Sequence, residues 1–208
     1  GIIGSAELLE KDMVKPEDKP RFIGHIRTEA ARMVTLIEDI IRLSQLDEGG
    51  TLPRERVDLY QIAAETLKTL RDAAAAKKVR LSLTGGSAKV SGVHGLLSEI
   101  VYNLCDNAIK YNQAGGSVKV IVSAQNRGAV LTVSDNGFGI EPQHQSQIFE
   151  RFYRTDKSRS KATGGTGLGL SIVKHAAEYH SAIITLKSTP GQGTTIRVAF
   201  PEPGEEGA

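Results

Sequence analysis

Residues 99 to 111 read Glu-Ile-Val-Tyr-Asn-Leu-Cys-Asp-Asn-Ala-Ile-Lys-Tyr, and they sort onto two opposed stripes of one helix. At about 100° per residue, Glu99, Asn103, Asn107, Lys110 and Tyr111 fall within roughly 120° of one another, while Val101, Leu104, Cys105 and Ala108 take the other side and Ile100 stands at the border. Carboxamides replace the Lys and Glu that usually decorate a surface helix, so the polar face is built to hold something and the apolar face needs a layer beneath it. Strand-like runs at residues 79–84, 117–124, 129–134, 183–188 and 194–200 supply that layer. Asp58 is placed to cap a further helix reaching about Lys78, and Asn126-Arg127-Gly128 fits a hairpin turn between the runs 117–124 and 129–134. Helices on one face of a mixed, mostly antiparallel sheet make a two-layer α+β sandwich.

Three more segments bear on chemistry. Asp135-Asn136-Gly137-Phe138-Gly139-Ile140 follows a strand, where a carboxylate can accept from an exocyclic amine and two glycines let backbone approach a flat ligand. Gly164-Gly165-Thr166-Gly167-Leu168-Gly169-Leu170-Ser171 runs into the helical pattern 170–179, so its amides and the positive helix end face an anion. It is neither a Walker A loop, which needs Lys and Ser/Thr after its last glycine, nor a dinucleotide fingerprint, since Leu170 stands at the third glycine. Between Phe149–Tyr153 and these glycines lies a polar, basic, aperiodic stretch, residues 154–166, which reads as a mobile lid carrying Arg154, Lys157, Arg159 and Lys161.

In that order and spacing the segments resemble the ATP-binding catalytic domain of bacterial sensor histidine kinases, within the group that includes gyrase, heat-shock-90 and MutL ATPases. Asn103 and Asn107 match the asparagine box, and Asp135, Gly137 and Gly139 the first glycine box. Phe149 and Phe152 match the phenylalanine box, Gly165, Gly167 and Gly169 the second glycine box, and Gly191-Gln192-Gly193-Thr194 a weaker third one. The resemblance implies Mg-ATP as ligand. Asn103 and Asn107 are then the Mg2+ positions, Lys110 meets phosphates, Tyr111 meets the ribose or the adenine edge, and Asp135 reads the adenine amine. Ile140, Thr166, Leu168 and Thr194 complete the expected ATP site, with the four basic lid residues steering the triphosphate. Glu99 takes the place of the carboxylate that orients or deprotonates the attacking imidazole. Phe149, Phe152 and Tyr153 are expected to anchor the lid by packing. Ser181-Ala182 departs from the family's Gly-Gly.

The first 50 residues read differently. A helix over residues 2–9, a turn at 15–20 and a helix over 17–46 form a hairpin whose apolar or small residues Ile26, Ala30, Met33, Ile37, Ile40 and Ser44 alternate four and three apart. Such a seam calls for a four-helix bundle from two chains; packing back onto the ATP domain is the alternative. The glycines of Asp47-Glu48-Gly49-Gly50 mark a linker, dividing the chain into a dimerisation hairpin (1–50) and an ATP domain (51–208). The resemblance implies the same dimerisation domain, and a response regulator as the next acceptor. It also implies a phosphoacceptor histidine followed by an acidic residue and then Thr-Pro. His25-Ile26-Arg27-Thr28-Glu29 lacks that pattern and lies on the second helix, so the acceptor is expected upstream of Gly1, in a chain that starts without Met.

Composition excludes other classes. With 39% hydrophobic residues and 24% charged the chain supports one domain of about 150 residues plus an appendage. A net charge of +2 gives no case for nucleic acid. No apolar run approaches the roughly 20 residues that span a bilayer; the resemblance implies the cytoplasmic part of a membrane-anchored sensor, with no membrane contact by this portion. Cys105 reads as a core residue, and the five histidines show no metal spacing.

Overall fold

The computed structural model describes residues 1–47, 52–125, 128–155 and 166–202. Helices α1 (Ile2–Glu10) and α2 (Lys19–Asp47) pair as a hairpin, its turn fastened by Lys19 on Asp12. The rest of the chain follows as β1 (Glu55–Asp58), α3 (Leu59–Thr69), α4 (Arg71–Ala76), β2 (Arg80–Gly85), β3 (Lys89–Gly92), α5 (His94–Lys110), β4 (Ser117–Gln125), β5 (Gly128–Asp135), α6 (Pro142–Gln145), α7 (Gly169–Tyr179), β6 (Ile183–Thr189) and β7 (Gly193–Pro201).

Five strands form one sheet in the order β2-β4-β5-β7-β6, parallel between β2 and β4 and antiparallel elsewhere. Alternation decides which face is buried. Val118, Val120 and Val122 of β4, Ala129, Leu131 and Val133 of β5, and Ile196, Val198 and Phe200 of β7 all turn inward against Leu97, Ile100, Val101, Leu104 and Ala108 of α5. Each fully buried aliphatic side chain contributes about 1.5–3 kcal/mol, so the apolar stripe of α5 and the inward rows of the sheet fix that helix over the strands. The two-layer α+β expectation holds.

Several details differ from the sequence reading. β1 and β3 form a separate antiparallel pair, too short and too polar to show a strand pattern. Asp58 does cap α3, its Oδ1 accepting from the N–H of Tyr60 at 2.9 Å and of Ala88 at 3.2 Å, but the expected single helix to Lys78 is two. The break falls at the buried Leu70, next to Thr69, whose hydroxyl bonds back to the Glu65 carbonyl and so competes with the helical ladder. Along α2 the seam residues Met33 and Ile37 are 55% and 54% exposed, whereas Leu36, outside that seam, packs on Leu168 and Ile172 at the start of α7. The hairpin thus touches α7 while leaving an apolar row open. The turn residues Asn126 and Arg127 and the linker residues 48–51 lie outside the described residues.

Candidate nucleotide site

Helix α5 delivers its polar stripe over the sheet's edge toward the start of α7. Asn103 Nδ2 donates to the backbone carbonyl of Glu99 at 2.9 Å and to Glu99 Oε2 at 3.1 Å. With its nitrogen held there, the carboxamide turns Oδ1 toward α7. A Cβ built on Gly169 would lie 2.7 Å from that oxygen and 3.7 Å from Asn107 Nδ2, so a side chain at residue 169 would push the Asn103 carboxamide out of this position. No side chain caps α7, whose N-cap residue Leu168 is fully buried and donates its own N–H to Thr166 Oγ1 at 3.3 Å. The first-turn amides and the positive dipole end therefore stand beside two carboxamides.

Asp135 is the last residue of β5 and is half-buried. Its Oδ1 accepts from the N–H of Gly137 at 2.8 Å and of Thr194 at 3.2 Å. Burial raises the pKa of its carboxyl from the ordinary value, and those two donors offset the effect only in part. Both bonds use one oxygen. The pairing of Ser134 with Thr195 across β5 and β7 is what brings Thr194 alongside Asp135, so the third glycine segment joins the first.

The chain then turns under the site. Gly139 sits at φ 67°, where a Cβ would lie 2.1 Å from the Thr189 carbonyl oxygen, and only glycine fits. Ile140 donates its N–H to Ser188 Oγ at 2.8 Å, and Ser188 Oγ lies 2.8 Å from Thr194 Oγ1. Gln145 Nε2 closes the same turn, donating to the carbonyls of Ile140 at 2.9 Å and Ser188 at 3.0 Å. Neither Ser188 nor Gln145 was anticipated; the observed β6–β7 register is what sets Ser188 opposite Thr194.

The remaining expected residues divide. Lys110 is in an ion pair with Asp106 at 2.7 Å, and Tyr111 is exposed at the end of α5. Phe152 departs from the packing expectation. It is 58% exposed at φ 63°, and its tie is through the backbone, its N–H donating to the Gly167 carbonyl at 3.0 Å. Tyr153 anchors by its hydroxyl, 2.7 Å from His144 Nδ1. Arg154 Nε and Nη2 are buried and have no hydrogen-bond partner among the described residues, an arrangement that an incoming acceptor relieves. Lys157, Arg159, Lys161 and Gly165 lie outside the described residues.

Residues 92–204, more than half of the chain, match the histidine kinase-, DNA gyrase B- and HSP90-like ATPase family, and residues 1–49 match the His Kinase A (phospho-acceptor) domain. The chain belongs to the histidine kinase family. Among curated histidine kinases, the sensor-like histidine kinase SenX3 of Mycolicibacterium smegmatis is 36% identical over 208 residues, covering 96% of this chain and 54% of that protein. The chain thus spans about half the length of the curated relatives it matches. Of solved histidine kinases, the mycobacterial sensor histidine kinase MprB superposes with TM-score 0.63 at 30% identity, covering 72% of this chain and 99% of that one. Full-length ShkA in complex with AMPPNP shares the fold at TM-score 0.72 and 24% identity, covering 97% of this chain and 43% of that one.

Proposed function

We propose that this histidine kinase portion binds Mg-ATP between α5 and α7 and presents the γ-phosphoryl group to a histidine on the first helix of a dimerisation hairpin, from which a response-regulator aspartate takes it. The observation that carries the reading is the convergence of Asn103, Asn107 and Gly169 at the uncapped start of α7.

The residues fit the ligand. Asn103 Oδ1, its amide nitrogen already engaged by Glu99, is a neutral oxygen donor suited to a hard cation whose charge phosphates balance, and Asn107 stands next to it. Among the described residues no cluster of three or more His, Cys, Asp and Glu offers a competing metal site. ATP supplies the phosphoryl group, and Mg2+ neutralises its oxygens. Asp135 Oδ2 accepts from the adenine amine while Oδ1 is held by the two N–H groups. The first-turn amides of α7 take phosphate oxygens, Arg154 uses its unpaired nitrogens on the triphosphate, and Lys110 exchanges Asp106 for phosphate. Glu99 orients the incoming imidazole and takes its proton. AMPPNP bound to the ShkA relative supports a nucleotide in this fold.

Two copies pair through the open row Met33 and Ile37, and the chain serves on the cytoplasmic side of a membrane-anchored sensor; none of its described helices is long and apolar enough to cross a membrane. Incubation with γ-labelled ATP tests transfer. The 208-residue chain should bind ATP without labelling itself, and adding a helix that carries the acceptor motif should yield acid-labile label. Acid-labile label on His25 of the chain alone would overturn the acceptor assignment.

A further inference from the structure

One contact cluster lies away from the nucleotide site and joins segments about 125 residues apart. Tyr179, the last residue of α7, accepts at its hydroxyl from the N–H of Leu52 at 2.9 Å and donates to the Leu52 carbonyl at 3.3 Å. The Arg54 guanidinium donates to the Tyr179 carbonyl at 2.6 Å and sits over the Tyr179 ring, 5.2 Å from its centroid. Next in the chain, His180 is buried, with Nδ1 at 2.7 Å from the Ala176 carbonyl and Nε2 accepting from the N–H of Val93 at 3.0 Å. Val93 is the N-cap of α5 and offers no side-chain cap to that helix, and the histidine that follows α7 does the fastening there.

Helix α7 packs along α5 through Val173, Ala176 and Ala177, and these contacts add a polar or close attachment at each of its ends. Its first residue, Gly169, lies against Asn103 and Asn107, while the histidine just past its last residue holds the point where the same helix begins. At about 1.5 Å per residue the 11 residues of α7 form a strut of roughly 16 Å between the two. The segment tied to the far end of that strut, Leu52 to Arg54, is the one that enters the ATP domain from the hairpin.

We propose that Tyr179 and His180 are positioning residues that latch the hairpin–domain linker to α7 and α5, so that the state of the linker sets nucleotide affinity at Asn103 and Asn107. The inference rests on the nucleotide site proposed above and adds its regulation: a hairpin movement that pulls Leu52 and Arg54 off Tyr179 loosens the start of α5. Coupling of this kind is reciprocal, so nucleotide in turn tightens the linker.

The test uses the 208-residue chain with Tyr179→Phe, which keeps the ring under Arg54 and removes both Leu52 bonds, and separately Arg54→Gln, an exposed position that spares the core. Mg-AMPPNP affinity is measured by titration calorimetry, and exchange of the Leu52 amide with and without Mg-AMPPNP. Expected results are slower Leu52 exchange on nucleotide addition in the wild type, loss of that response in Tyr179→Phe, and about fivefold weaker binding in both variants at unchanged melting temperature. Faster Leu52 exchange with unchanged or tighter binding would overturn the coupling, leaving a purely structural tie. Absence of Mg-AMPPNP binding in the wild type would instead overturn the site itself.

Discussion

The N–H of Phe152 and the carbonyl of Gly167 meet at 3.0 Å, so a backbone hydrogen bond joins the phenylalanine segment to the second glycine segment. Both residues have positive φ, 63° for Phe152 and 80° for Gly167, and a Cβ on Gly167 would lie 3.0 Å from the Phe152 carbonyl carbon. Gly167→Ala should therefore cost about 1–3 kcal/mol locally. It should also weaken ATP-analogue binding. In the wild type, amide exchange across residues 152–167 should slow on addition of Mg-AMPPNP; equal exchange in both states would make this a fixed structural loop.

Gly169 separates affinity from stability. Alanine there gains helix propensity of about 1 kcal/mol, yet its methyl would lie 2.7 Å from Asn103 Oδ1. Gly169→Ala should hold or raise the melting temperature while weakening Mg-nucleotide binding at least tenfold. Parallel loss of both would show that the glycine serves folding alone.

His180 makes stability depend on pH. Burial, and then the charge of Arg54, hold its pKa below the ordinary 6.5 against the opposing Ala176 bond. Above pH 6.5 the ring is neutral in both folded and unfolded chains, and its contribution is intact. As pH falls below 6.5 the unfolded chain takes up the proton first, and folding stability drops until the folded-state pKa is passed. A protonated ring would also turn an N–H on the Val93 N–H. Urea titrations from pH 7.5 to 5 should show this loss in the wild type and a smaller one in His180→Gln.

Much of this was legible because it is local. The two stripes of α5, the alternation of β4, β5 and β7, the Asp58 cap and the motif order each depend on neighbours within a turn or two. The break at Leu70 was not, because Thr66, Leu70 and Ala74 are all buried at helical spacing across it. Ser188 looked like any polar strand end until the β6–β7 register put it beside Thr194. Tyr179 and Arg54 meet across the whole domain, and no periodicity encodes such a contact. Leu36 facing α7 depends on how the hairpin leans, which the heptad spacing of Met33 and Ile37 leaves open.

The central claim is that nucleotide binds with its base at Asp135 and its phosphates at the start of α7. Titration calorimetry of Mg-AMPPNP into wild type and Asp135→Asn tests it most directly. The substitution keeps an oxygen for the Gly137 and Thr194 donors and removes a half-buried charge, so the melting temperature should stay level or rise. Affinity should fall by about 1.5–3 kcal/mol, the worth of a hydrogen bond to a charged group. Equal affinity in the two proteins would contradict the account.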